Sequence, residues 1–529
     1  MFVREKLVRL VVSFVLLFLL SVSFSAVLQS KEPLTFAIGS VSWREPKEES
    51  VFFQEWQKRT GVRIKLIKMD SSAINEKINT MLASGDLPDI MSCTRTIAND
   101  YGPQGAFIPI NKYFDKAPNL KKYFDVKKNP WLYGPDGNIY ILTATWPYLA
   151  WGWVWNKKWA DKLGVSAPKT IYDWVTVWEK VKASDPKAIP LGTQGTGLLY
   201  QFFFPTWWGI TSEGLVMERG NLRDPWLTPE MKGLITFLHD IYDKKLLYQE
   251  FLTATNETFY SLIAQGKVFS IVHYKGVPYL QAKAPQDVVN ALETLPPPKG
   301  PYGKSGCDWM GPTSWWGISI TSKCKDIDSA VKFLDYLFSK EGTYLYYLGV
   351  KGVTYEIAKD GTIRFTQKVI DEAKKANMDL DTYLVTNYGI NLIFINIPPL
   401  DPKLHILHAK AYGQPENYLK GLLIVAKNLA KYRPPIWLTA EEQKRVNSIM
   451  SNISTYREEW VSKFILGKEP LTKWDEFISG LKKMGAEEVE QLYNKGYERY
   501  LKTVGKPKGY VPPIKYDLTG LDKIVGLSK

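Results

Sequence analysis

The side chains with the greatest chemical reach in this sequence are aromatic, and many stand outside helical spacing. Nineteen tryptophans and thirty tyrosines bring the aromatic share to 14%. They gather in glycine- and proline-rich stretches: Trp146-Pro147-Tyr148, Trp151-Gly152-Trp153, Pro205 to Trp208, Asp308-Trp309 and Trp315-Trp316-Gly317. A flat indole face stacks on the apolar C–H face of a carbohydrate ring, while the ring's hydroxyls require polar groups around the rim. Rings packed beneath the fold produce the same composition, so stacking and core packing are both open for each tryptophan. The stacking candidates are Trp43, Trp146, Trp151, Trp207, Trp208 and Trp315, with Tyr148 and Tyr274 able to stack and hydrogen-bond. Asp70, Arg95 and His273 are the polar candidates, each at or just after a strand's end. His273 also reads as a satisfied structural histidine, and Arg95 as half of a surface ion pair.

Other chemistries lack their signatures. The histidines are His239, His273, His405 and His408, and no cysteines stand at CxxC spacing, so the usual zinc pattern is missing. No GxSxG, HExxH or P-loop motif occurs. Neither metal nor cofactor is expected. A secreted carbohydrate-active enzyme needs two carboxylates about 5–10 Å apart across a cleft, an arrangement sequence alone leaves open.

The first residues bear on compartment. Arg4, Lys6 and Arg9 precede an uncharged run from Leu10 to Phe24, and Ser23-Phe24-Ser25 supplies small residues for cleavage. This is the layout of a secretory leader over residues 1–25, with an apolar core short for a membrane span. Export to the periplasm or cell surface is expected; an uncleaved leader would leave the protein anchored. No cysteine follows the apolar run, so a lipid anchor is not expected. The three cysteines, Cys93, Cys307 and Cys324, leave at least one unpaired. Cys307 with Cys324 is one available bridge; buried small apolar side chains are the other reading. The net charge of +14 comes with lysines spread in pairs such as Lys121-Lys122 and Lys244-Lys245, as on solvated helix faces. Nucleic acid is not an expected partner. A basic field attracting an acidic ligand, such as a uronate oligosaccharide, is the sharper alternative.

Elements that would position these residues are legible from periodicity. Leu34–Val41 and Val62–Lys68 alternate as strands, Glu48–Gly61 and Ser72–Ser84 repeat as amphipathic helices, and Asp89–Ser92 follows a Gly85–Pro88 turn as a third strand. Ser71 or Ser72 is the expected cap of the second helix. Strand, helix, strand, helix, strand implies a parallel sheet with crossover helices. Ligands bind beyond the carboxyl ends of such strands, which places Ser42-Trp43, Asp70 and Thr94-Arg95 at the mouth of the domain. Tyr140–Trp155 reads as an aromatic strand run, Val268–Tyr274 and Gly317–Thr321 as strands, and nearly everything after residue 400 as helix.

Seven segments in order now carry a resemblance: Asn79–Ile90 (NTMLASGDLPDI), Trp159–Thr170 (WADKLGVSAPKT), Lys299–Lys304 (KGPYGK), Ala330–Ser339 (AVKFLDYLFS), Tyr347–Glu356 (YLGVKGVTYE), Lys463–Leu471 (KFILGKEPL) and Trp474–Phe477 (WDEF). Together they resemble family 1 extracellular solute-binding proteins of ABC importers, in particular the large LplA-like and alginate-binding subgroup. The resemblance implies an α/β, two-lobed periplasmic-binding-protein-like fold with a helical C-terminal region. The first lobe would hold residues 33–148 and about 317–365, the second about 149–316 and 366–529. Crossings would fall near Trp146–Trp151 and Met310–Gly317. It further implies a monomeric, non-enzymatic component that binds a neutral or acidic oligosaccharide between its lobes and delivers it to membrane permease subunits. An oligopeptide-binding receptor is the alternative. One departure matters: where the alginate-binding relatives carry an acidic calcium loop, Ala183–Pro190 has the single carboxylate Asp185. Calcium needs six to eight oxygens, so no metal is expected there, and alginate is weakened as the ligand.

Overall fold

The computed structural model describes residues 32–40, 45–125, 130–134, 136–143, 151–193, 195, 199, 204–210, 215–274, 284–307, 316–359, 362–392, 395, 402–430 and 434–504. Its strands are β1 (Leu34–Ser40), β2 (Ile64–Asp70), β3 (Ile90–Thr94), β4 (Leu142–Thr143), β5 (Trp151–Asn156) and β6 (Ile189–Gly192). After them come β7 (Val216–Glu218), β8 (Asn221–Arg223), β9 (Val268–Tyr274), β10 (Leu292–Leu295), β11 (Trp316–Ile320), β12 (Tyr355–Ile357) and β13 (Ile363–Phe365). Two larger sheets organise the molecule, in the orders β2-β1-β3-β11-β4 and β10-β5-β9-β6. β7–β8 and β12–β13 are separate two-stranded hairpins.

In the first sheet β1 pairs in parallel with both β2 and β3, as the strand–helix alternation requires. The sheet is not wholly parallel, because β11 returns to it antiparallel, with Trp316 opposite Thr94 and Ile320 opposite Ile90. β4 pairs antiparallel beyond β11. The helix Ile74–Ser84 starts one residue after Ala73 and has no side-chain cap. The expected serine cap is displaced because Asp70 Oδ1 accepts hydrogen bonds from both the Ser72 N–H and its hydroxyl. Thr170 does cap the helix Ile171–Ser184, in a capping box with Asp173.

Each sheet has its own core. In the first, Trp56 lies flat on Phe333, centroids 3.6 Å apart, and its indole N–H donates to the Phe333 carbonyl at 2.7 Å. In the second, Trp153 is ringed by Trp174 at 4.6 Å, Trp207 at 4.9 Å and Trp178 at 5.8 Å. Tryptophan enrichment is therefore in large part the packing of this second core, which also takes the C-terminal helices Ala440–Ile465, Trp474–Lys483 and the start of Ala486–Val504.

The partition of the chain differs from expectation between residues 366 and 412. Val369, Leu384, Val385, Ile390 and Leu404 belong to the first core, although this stretch was expected in the second lobe. Amphipathic periodicity reports that a helix face is buried and is silent on which sheet buries it. The helix Pro402–Ala411 packs against β13, whereas Glu416–Lys427 packs on β10 and β5. There the Asn417 amide donates to the Val289 and Leu292 carbonyls at 2.8 and 2.6 Å. The chain thus changes cores at Tyr412–Pro415, turning at Gly413 with φ of 69°. Two other changes occur between Thr143 in β4 and Trp151 in β5, and between Cys307 and Trp316 in β11. The crossings expected near Trp146–Trp151 and Met310–Gly317 fall largely on residues 144–150 and 308–315, which lie outside the described set. All three cysteines are buried free thiols, so Cys307 and Cys324 form no bridge. Among the described residues no helix is long and apolar enough to cross a membrane.

Candidate ligand-binding cleft

At the carboxyl end of β3 the chain enters the short helix Arg95–Tyr101, whose first turn is capped by Thr94 Oγ1 accepting from the Ile97 N–H at 3.2 Å. This end of the sheet faces a cavity of about 270 Å³, just below the usual range of about 300–1,000 Å³ for small-molecule sites. One wall comes from segments beside the first sheet: Arg95, Asn99 and Asp100 on that helix, Trp131 from the turn Pro130–Leu132, and Tyr133 just after it. The opposite wall is the stretch Pro435–Thr439 with Gln443 and Asn447 from the following long helix. The cavity therefore joins a segment that follows β3 of the first sheet to one that leads into the helix Ala440–Ile465 of the second core.

Its groups suit a hydroxyl-rich ligand. Trp131, Tyr133 and Trp437 supply aromatic surface, while Arg95, Asn99, Asp100, Gln443 and Asn447 supply donors and acceptors. Burial pushes the Asp100 carboxyl above its ordinary range. Burial, reinforced by the charge of Asp125, raises the Tyr133 phenol to about 12, so it stays protonated and donates to the Phe124 carbonyl at 2.7 Å. Trp437 is only 3% exposed, yet its indole nitrogen has no hydrogen-bond partner among the described residues. The two sides already touch: Trp131 packs with Cys307, Val425 and Leu429, and Tyr133 abuts the cluster containing Trp437.

A larger groove, about 840 Å³, lies at the amino end of β1 and before β3, around Glu32, Thr35, Asp89 and Lys323. The smaller cavity is the one beyond the strands' carboxyl ends, where ligands of open α/β sheets sit.

The residues singled out from sequence are placed as follows. Arg95 lines the cavity. Asp70 ends β2 but is exposed and committed to the Ser72 turn, whose hydrogen bonds hold its carboxyl below the usual range. Trp207 and Trp208 are 1% and 2% exposed. The Trp207 indole N–H donates to the Gly306 carbonyl at 3.2 Å and its ring lies against Trp153, while Trp208 packs on Phe237. Neither lines the cavity, and in this structure both rings are packed in the second core. Trp151 pairs with Tyr274 and Gly152 with His273 at one end of the second sheet; the side chains of Trp151, His273 and Tyr274 lie outside the described set. So do Trp43, Trp146, Tyr148 and Trp315. Sequence reasoning missed Trp131, Tyr133 and Trp437. A usable signal was the Pro-Trp spacing of Pro130-Trp131 and Pro435-Ile436-Trp437, the latter just before a Thr439–Glu442 capping box.

Two sheet-centred cores, several chain crossings and a polar-aromatic cavity between them define a two-lobed binding protein. A family model for bacterial extracellular solute-binding proteins matches residues 42–344, and the chain belongs to that family. The lipoprotein LipO of Bacillus subtilis is 23% identical over 89% of this chain and 93% of its own length. The fructooligosaccharide ABC transporter substrate-binding protein FusA of Streptococcus pneumoniae is 25% identical over 89% of this chain and 91% of its own. Among solved structures, an HMO-binding, ABC-transporter-associated solute-binding protein from Bifidobacterium longum infantis superposes with a TM-score of 0.71. It is 17% identical and covers 89% of this chain and 99% of its own. The fold is therefore the two-lobed, periplasmic-binding-protein-like one. The family is one of solute-binding proteins, and FusA and the Bifidobacterium protein are named as binding proteins.

Proposed function

We propose that this chain is the extracytoplasmic substrate-binding component of an ABC importer and captures an oligosaccharide between its lobes. The observation that carries the reading is the cavity walled by Arg95–Tyr133 on one side and Pro435–Asn447 on the other. It combines flat aromatic surface with convergent polar groups, which is what a sugar ring requires. The names of FusA and of the HMO-binding neighbour support a sugar as the ligand class. In this reading Arg95, Asp100, Trp131, Tyr133 and Trp437 contact ligand, and Trp43, Trp146, Tyr148, Trp151, His273, Tyr274 and Trp315 extend the site from the adjoining segments. The protein acts as a monomer outside the cytoplasm, releases its ligand unchanged and hands it to membrane permease subunits.

The test is a thermal-shift screen of the mature chain against kestose, nystose, trigalacturonate and short peptides. A ligand at 100 times its Kd stabilises a fold by about 2.7 kcal/mol. A shift with a saccharide whose affinity falls about tenfold or more in Trp437→Ala through lost ring contact supports the proposal. A shift with peptides alone, or turnover of the saccharide, sinks it.

A further inference from the structure

We infer that Arg499, on the helix Ala486–Val504, is a positioning residue that fixes Trp437 in the orientation that meets ligand; the inference rests on the cleft assignment above. Trp437 sits in irregular chain before the long helix Ala440–Ile465 and belongs to no strand or helix. The C-terminal helix holds it at three points within little more than one turn. The Gly496 carbonyl accepts the Trp437 backbone N–H at 3.2 Å. Arg499 Nη1 donates to the Trp437 carbonyl. The Tyr500 ring meets the indole edge-on, with centroids 5.5 Å apart and planes at 79°. Residues spaced by three and four share a helix face, so one face of this helix grips backbone N–H, carbonyl and ring together. Gly496 permits the close approach: a Cβ there would lie 2.8 Å from Ile436 Cγ2 and 3.1 Å from the Trp437 backbone.

Arg499 also ties this grip to the long helix. Its two terminal nitrogens donate to the two Glu442 carboxylate oxygens, each at 3.0 Å. Glu442 in turn accepts the Thr439 N–H at 2.8 Å, and Thr439 Oγ1 accepts the Glu442 N–H at 3.2 Å. A planar guanidinium alone offers the fork needed to serve a carboxylate and a carbonyl at once. What the clamp presents is a nearly buried indole whose N–H has no acceptor among the described residues.

The molecule contains a control for a merely structural ion pair. Arg445 and Glu488 join the same two helices through bonds of 2.6 and 2.7 Å, and neither lines the cavity among the described residues. The experiment uses the mature chain labelled with 5-fluorotryptophan, with the Trp437 resonance assigned by its loss in Trp437→Phe. Arg499→Met is expected to shift or broaden that resonance without ligand. It is also expected to weaken binding of whichever probe shifts the wild type (kestose, nystose or trigalacturonate) by about 3- to 10-fold, the order expected when a side chain must be immobilised on binding. Arg445→Met should leave the resonance in place and affinity within about twofold. Arg499→Lys keeps charge without the fork; it is expected to fall between the two and carries the comparison if Arg499→Met does not fold. An unmoved Trp437 resonance in the Arg499 variants, or equal effects of Arg499→Met and Arg445→Met, overturns the inference. Unchanged affinity in Trp437→Phe and Trp437→Ala instead overturns the cleft assignment and leaves the clamp standing as geometry.

Discussion

Replacing Trp207 by alanine separates packing from recognition. The indole is 1% exposed and lies within 4.9 Å of Trp153 and 5.0 Å of Phe204, measured between centroids. Truncating a fully buried tryptophan costs about 3–5 kcal/mol, because transfer energy is lost and a cavity remains. The polar part is small: the Gly306 carbonyl loses the indole donor but keeps the Thr206 hydroxyl at 3.0 Å. For a lobe of this size the change corresponds to roughly 10 °C in Tm. Calorimetry of the mature variant should show the second-lobe transition lowered by that order. Ligand affinity, measured well below the transition, should stay within about twofold of wild type, since no ring face reaches the cavity. Unchanged stability with lost affinity would refute the reasoning and restore Trp207 to the binding surface.

Other expectations follow from buried ionisable groups. Burial lifts the Asp224 carboxyl from 3.8 to about 6, against the opposing pull of the Trp226 N–H and Arg457. The folded state then holds its proton more tightly than the unfolded state. This group's contribution is whole below pH about 4 and is lost as pH rises through about 6. Asp224→Asn should flatten that part of a denaturation profile measured between pH 4 and 7; an unchanged slope contradicts it. Burial also raises the Cys93 and Cys324 thiols to about 12, and Cys307 is buried. The native protein should therefore resist a thiol reagent and release three reactive thiols on denaturation, whereas a count of one would reveal a bridge.

Much of the fold was legible because its first sheet is built from local alternation. Leu34–Ser40, the helix Val51–Thr60 and Ile64–Asp70 follow hydrophobic period within three residues at each end. The return of β11 as an antiparallel strand was not legible, since a five-residue apolar run carries no record of its direction. The same holds for residues 366–412, whose helices advertise a buried face without naming its partner. At the cavity, the place of Arg95 was legible because it follows a parallel strand directly. Trp207 misled because a tryptophan beside proline and glycine looks alike whether it meets a sugar or Trp153. Trp437 escaped notice because its importance is tertiary: Gly496, Arg499 and Tyr500 hold it from about sixty residues further along the chain.

The most direct check on the interlobe site is a crystal structure of the mature protein with the oligosaccharide that gives the largest thermal shift. The account predicts sugar density between Trp131 and Tyr133 on one side and Trp437 on the other. Density in the groove around Thr35, Asp89 and Lys323 instead, with the interlobe cavity holding only water, would contradict it.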